Sequence, residues 1–148
     1  MDEENRHLNY YADGNTRALY QFWSERLPFS PQNLALKNNL AATALLLKTN
    51  LTQAFQWATE AYAGQTNNPS FASTYAYALH LQGRTRDGVA ALEQLNGGLQ
   101  TNPAAALYYG VLLSALGQNA EAAPFLALAK NDSQLLPEEK QLLAKALE

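Results

Sequence analysis

Apolar residues recur along most of this chain at spacings of three and four, which is the period of one face of an α-helix. The clearest examples are the sets Ala54, Ala58 and Ala61, and Ala122, Leu126 and Ala129. No segment alternates apolar and polar residues for long enough to predict a β-strand. The pattern therefore predicts an all-α protein.

A longer period is superimposed on the helical one. Pro69, Pro103 and Pro137 follow one another at intervals of 34 residues, and Gly83 and Gly117 are separated by the same interval. Two further series keep this step without a break, namely the small residues Ala42, Ala76, Gly110 and Ala144 and the leucines Leu45, Leu79, Leu113 and Leu147. Such regularity indicates that the chain is built from repeated units.

Each unit contains residues that are typical of the beginnings and ends of two helices. Asn68 can cap a helix with its side-chain oxygen, and Pro69 follows at the first helical position, where a missing N–H is tolerated. Gly83 is the residue type that ends a helix in the left-handed conformation. A second apolar-periodic segment follows, and the same signals return 34 residues later. Antiparallel helix pairs repeated in tandem make a helical solenoid.

A helix–turn–helix period of about 34 residues is typical of the tetratricopeptide repeat, and this chain resembles that family over most of its length. The family's motif appears as Tyr-Ala, Leu and Gly with a later Gly and Leu in residues 75–95, and as Tyr-Gly, Leu, Gly, Ala, Leu and Ala in residues 109–129. It appears more loosely in residues 41–61. The resemblance implies a right-handed superhelical solenoid of antiparallel helix pairs.

Some positions depart from the family pattern. Its first-helix aromatic residue is replaced by Asn38, Ala72 and Ala106. Pro124 lies within a second helix, where we expect a kink or a late helix start. The pair Gly97-Gly98 follows a helix and lacks the lysine of a phosphate-binding loop, so it predicts a loose turn.

The repeats divide the chain into five parts. Residues 1–34 are a degenerate leading repeat or, alternatively, the severed edge of a longer array. Within them, residues 15–28 predict a second helix capped by Asn15, with residues 3–11 as its partner. The remaining parts are three clear repeats at residues 35–68, 69–102 and 103–136, and a C-terminal capping helix at residues 137–148 that packs through Leu143, Ala144 and Leu147.

Composition narrows the classes of function. The net charge of −3 and the pI near 5.3 argue against a nucleic-acid partner, because binding to phosphates needs clustered Lys and Arg. There is no cysteine for thiol catalysis, disulfides or metal binding. The apolar runs are too short to cross a bilayer of about 30 Å. We expect a soluble protein without direct membrane insertion, in the cytoplasm or periplasm if its source is bacterial.

Residues suited to catalysis are few. The only histidines are His7 and His80, and Ser73 lies about 10 Å from His80 along a helix, which is too far for a nucleophile and its base. The pairs Glu3-Glu4 and Glu138-Glu139 look like solvated helix starts. We expect no catalytic residue, no metal site and no cofactor.

The resemblance implies a binding site on the concave face, where the first helix of each pair lines a groove that holds partner peptides. Leu107, Tyr108 and Val111 have no obvious intramolecular cover there, although a tight superhelical turn could also shield them. The cations with which some family members hold a partner's C-terminal carboxylate are missing. The positions carried over to the groove are Asn39, Thr43, Leu46, Ser73, Thr74, Tyr77, His80, Leu107, Tyr108, Val111 and Ser114.

The sequence therefore favours a non-catalytic protein–protein interaction or scaffold module, part of a larger bacterial repeat protein. Its expected partner is a protein segment, extended or helical, that offers apolar side chains. Self-association into a homodimer or homo-oligomer is an alternative. A small-molecule or enzymatic role centred on His80 is a third.

Overall fold

A computed structural model describes residues 5–148, and this part of the chain contains helices and no strand. A single 3₁₀ turn, Leu27–Phe29, links the second and third helices. The α-helices are α1 (Arg6–Ala12), α2 (Thr16–Arg26), α3 (Leu34–Leu47), α4 (Leu51–Gly64), α5 (Pro69–Leu81), α6 (Thr85–Glu93), α7 (Gly98–Thr101), α8 (Pro103–Ala115), α9 (Asn119–Ala129) and α10 (Pro137–Ala146). The predicted all-α class is confirmed.

Three pairs of consecutive helices pack most extensively against each other: α3 with α4, α5 with α6, and α8 with α9. Three residues connect the helices in each pair, so the chain must reverse direction and form a helical hairpin. An ion pair also joins the first of these hairpins, with Lys37 Nζ 2.7 Å from a carboxylate oxygen of Glu60.

The predicted helix boundaries of α5 and α8 are confirmed. The side chain of Asn68 accepts hydrogen bonds from the N–H groups of Ser70 and Phe71, and a proline follows at the first helical position. Asn102 caps α8 in the same way. Gly83 and Gly117 both have φ of +79°, the left-handed conformation that glycine adopts without strain. The capping asparagines, the prolines and the glycines thus determine where these helices begin and end.

Contacts between successive hairpins also recur. The first helices touch one another in the order α3, α5, α8 and α10, and α4, α6 and α9 each contact the first helix that follows. At the leading end α1 packs on α2, and α2 packs on α3. Each hairpin therefore meets its successor through both of its helices.

Helix α8 lies at the centre of the core. Its residues from Ala105 to Leu113 are all buried, which explains a helix without a single charged residue. Gly110 allows α9 to approach closely, because a Cβ atom at this position would lie 2.6 Å from Leu126 Cδ2. A helix that is apolar on every side is here covered on every side.

In three places the structure differs from a local expectation or describes only part of the expected element. Helix α9 begins at Asn119, well before Pro124, so the proline causes no late start. The Gly97-Gly98 turn is followed by the one-turn helix α7, which is anchored by the buried Leu99. The leading helix begins at Arg6, and the first residues of the predicted 3–11 helix lie outside the described residues.

The expectation that α10 packs through Leu143, Ala144 and Leu147 is wrong for two of these residues. Ala144 is exposed and Leu147 is 46% exposed, whereas Leu143 is partly buried. In α8 the equivalent face is covered by α9, but no helix in residues 5–148 covers this face of α10. Helix α10 instead turns Glu139, Leu142, Leu143 and Ala146 towards the rest of the molecule, and all four are partly buried.

Candidate functional site

The residues expected to line an open groove, which we call the inner wall, are mostly covered. Three of them, Asn39, His80 and Ser114, are partly exposed. The other eight are at most 8% exposed, and they are Thr43, Leu46, Ser73, Thr74, Tyr77, Leu107, Tyr108 and Val111. The structure thus agrees with the alternative in which these side chains are shielded within the molecule.

Helix α10 supplies part of that cover. The hydroxyl of Tyr108 donates a hydrogen bond to Glu139 Oε2 at 2.6 Å, and Ser114 Oγ donates to the carbonyl oxygen of Ala146 at 3.4 Å. These two contacts align the start of α10 with the middle of α8, and the end of α10 with the end of α8. Helix α10 therefore runs beside α8 in the same direction.

Glu139 is the functional candidate that sequence reasoning missed, since its interpretation as a solvated helix start is wrong. Its Oε1 accepts a hydrogen bond from the backbone N–H of Leu136 at 3.0 Å, while Oε2 accepts from Tyr108. Burial raises the pKa of Glu139, and these two hydrogen bonds act in the opposite direction. Burial, and then the nearby Glu139 charge, hold the pKa of Tyr108 well above its usual range.

A signal for this contact does exist in the sequence. Tyr77 and Tyr108, 31 residues apart, face each other with ring centroids separated by 5.3 Å. The same interval leads from Tyr108 to Glu139. A search for pairs at this second spacing, in addition to the 34-residue period, could have placed Glu139 against the inner wall.

The turn between α1 and α2 also meets the start of α10. Thr16 Oγ1 donates a hydrogen bond to Glu138 Oε1 at 2.5 Å. A Cβ atom on Gly14 would lie 3.1 Å from Pro137 Cγ, so the two segments are in close contact. A cavity of about 540 Å³ lies between them, with Tyr11 on one side and Pro137 on the other. The turn between α1 and α2 is therefore packed against the start of α10.

The partly exposed residues of the inner wall lie at two separate openings. His80 and Ser114 line a cavity of about 360 Å³, together with Leu142 and Ala146 of α10. Asn39 lines another, of about 270 Å³, together with Trp23 and Phe29. The eleven predicted residues therefore do not form one continuous exposed surface.

His80 is not paired with the serine considered for catalysis. Its Nδ1 lies 2.8 Å from Thr85 Oγ1, and partial burial lowers its pKa. Ser73 Oγ donates to the carbonyl oxygen of Pro69 at 2.7 Å. The pair of Ser73 and His80 is therefore not formed, and the hydroxyl group in contact with His80 is that of Thr85.

Among residues 5–148, no group of three or more His, Asp or Glu side chains has an arrangement that could hold a metal ion. No helix in the same part of the chain combines the length and the apolar character needed to cross a bilayer.

Comparison with protein-family models gives no family that matches this chain, and comparison with curated proteins gives no matching sequence.

Proposed function

We propose that this chain is a non-catalytic protein-interaction module whose hairpins form a right-handed superhelical solenoid of the tetratricopeptide type. Support comes from the recurring contacts between successive hairpins and from the 34-residue spacing of their helix-start prolines. The close approach of the two helices within a hairpin also supports this proposal. A Cβ on Gly88 would lie 2.7 Å from the carbonyl oxygen of Ala76, just as Gly110 meets Leu126.

The ligand of this module is a peptide or helix of a partner protein that presents apolar side chains to the inner wall. One observation carries this proposal. The inner wall already binds a helix, α10, through hydrogen bonds from the wall residues Tyr108 and Ser114. A partner segment of similar shape can use the same groups. We expect such a segment to bind first at the opening lined by His80 and Ser114.

The experiment selects ligands for the wild-type chain from a random peptide library and measures their affinity by fluorescence anisotropy. Ser114→Lys places a long charged side chain at the 360 Å³ opening and is expected to weaken binding by about tenfold or more. Ala127→Lys, at an exposed position on α9, adds the same charge elsewhere and should bind normally. Equal affinities for Ser114→Lys and the wild type would contradict the proposed site.

Self-association is the second candidate, and one observation favours it. Phe29 is 86% exposed at the turn after α2, so most of a large apolar ring lies in water. In a dimer this ring would be buried against a second copy. Sedimentation of the wild type and of Phe29→Ser over a concentration series tests the idea, which fails if both remain monomeric.

A further inference from the structure

We infer that α10 is a displaceable internal ligand of the inner wall, and that the partner bound there is an amphipathic helix with the same pattern of side chains. That pattern is an acidic residue followed by aliphatic or small residues three, four and seven positions later, as in Glu139, Leu142, Leu143 and Ala146. The inference rests on the proposed function, and it adds both the chemistry of the partner and the way in which access is controlled.

The first step is that α10 is held less firmly than its neighbours. None of its residues is fully buried, whereas α8 buries every residue from Ala105 to Leu113. The segment 130–136 that joins α10 to α9 contains no helix. Elements with few buried contacts open at lower free energy than the rest of a fold. Helix α10 therefore detaches before the hairpins come apart.

The second step is that the surface beneath α10 survives its departure. Helix α8 is also held by α5, α6 and α9, and none of these contacts involves α10. Detachment uncovers Tyr108, Val111 and Ser114, which then form an apolar strip with a hydroxyl group at each end. Such a strip is suited to one face of an amphipathic helix, with contacts at i, i+3, i+4 and i+7.

The third step concerns the acidic residue. Glu139 lies against Tyr108, and burial, followed by the charge of Glu139, raises the pKa of Tyr11 on α1 and of Tyr77 on α5. Tyrosines from three different helices thus lie near enough to one carboxyl group to be affected by its charge. A partner helix that places Asp or Glu in its first turn can accept the same hydrogen bond from Tyr108, whereas Lys at that position has no atom that can accept it.

The experiment compares binding of one fluorescent peptide, residues 137–148 of this chain, to full-length variants. Glu139→Ala combined with Leu142→Ala weakens α10 in place and leaves the inner wall unchanged. The matched control, Gln141→Ala combined with Leu147→Ala, truncates one polar residue and one leucine on the exposed side of α10. We expect the first variant to bind the peptide about tenfold or more tightly than the wild type, because an attached competitor has been weakened.

Further measurements complete the test. Hydrogen exchange should show faster exchange in α10 of the first variant, with α8 and α9 protected as in the wild type. A peptide carrying Lys in place of Glu139 should lose the gain in affinity. Unchanged peptide affinity despite a mobile α10 overturns the inference, as does loss of the whole fold in the first variant, since α10 would then be an integral part of the core.

Failure of the inference can be distinguished from failure of the proposed function. If library peptides bind the wild type and the first variant equally, and Ser114→Lys still weakens them, the inner wall is a partner site without a gate. If the peptide of residues 137–148 gains affinity as expected but library ligands ignore Ser114→Lys, α10 is displaceable but the proposed partner site is wrong.

Discussion

Helices α8 and α10 occupy equivalent places in the repeat but differ in burial. Each begins with proline, carries a small residue at the eighth position (Gly110 or Ala144) and has leucine three residues later (Leu113 or Leu147). In α8 this face is fully covered by α9, while in α10 it is open within the described chain. Position in a repeat therefore does not by itself determine burial, which depends on whether a neighbouring helix is present.

The largest expected difference between the two helices concerns their equivalent leucines. Leu113→Ala should lower the free energy of unfolding by about 3 kcal/mol, because it leaves a cavity beneath α9. Leu147→Ala should cost less than about 1 kcal/mol, since nearly half of this side chain is already in water. Urea denaturation of both variants measures the difference. Similar losses in the two variants would mean that the open face of α10 is covered in solution.

The small residues give the next comparison. Gly110→Val should destabilise the fold by about 2 kcal/mol, because the added atoms overlap the Leu126 side chain. Ala144→Val should cost only about 0.5 kcal/mol, which reflects helix propensity alone at an exposed position. Thermal melts followed by circular dichroism provide the test. If Gly110→Val is as stable as the wild type, the close approach of α8 and α9 is not essential.

The hydrogen bond between the two helices gives a smaller and more local effect. Tyr108→Phe removes the donor to Glu139 and should make opening of α10 easier by about 1.5 kcal/mol. Hydrogen exchange should then quicken in α10 while α8 and α9 stay protected. Tyr109→Phe is the matched control, because that hydroxyl bonds Glu93 on α6 rather than α10. Equal exchange in α10 of both variants would argue against the role of Tyr108.

The pH dependence of α10 should be the smallest effect. Burial raises the pKa of Glu139 above its ordinary value of 4.5, so the docked helix favours the protonated carboxyl group. The stability of docking should therefore be greatest below pH 4.5 and should fall as pH rises through the folded-state pKa. The titratable groups facing Glu139 are Tyr11, Tyr77, Tyr108, Asp132 and Glu138.

Exchange of α10 amides, corrected for the intrinsic effect of pH, checks this direction. Glu139→Gln keeps a hydrogen-bond acceptor for Tyr108 but cannot ionise, so the decline with pH should disappear. A decline that persists in Glu139→Gln would show that Glu139 is not its source.

The parts of the fold that could be predicted from sequence depend on local chemistry. Asn68 and Pro69 start a helix, and Gly83 ends it, whatever lies around them. The all-α class and the hairpin boundaries followed from such signals together with the apolar period. The helix from Pro103 could be recognised in the same way, although the burial of its residues from Ala105 to Leu113 depended on neighbours that its own residues do not specify.

The cover over the inner wall could not be predicted in this way. It depends on the summed packing of several hairpins, which brings α10 beside α8 and the α1–α2 turn beside Pro137. No single motif encodes that sum. Glu139 shows the difficulty, because its surroundings in sequence are polar and its decisive partner, Tyr108, lies 31 residues away. The binding role of the eleven predicted residues stays a prediction.

The contact between Thr16 and Glu138 has a consequence for the length of the array. In an open repeat protein each unit touches only its neighbours, so units can be added or removed with little penalty. Here an extra hairpin inserted after α9 would move Glu138 away from Thr16 and would leave Tyr11 without its cover. Duplication of one unit should therefore be tolerated poorly, because it would break the contact that joins the α1–α2 turn to the start of α10.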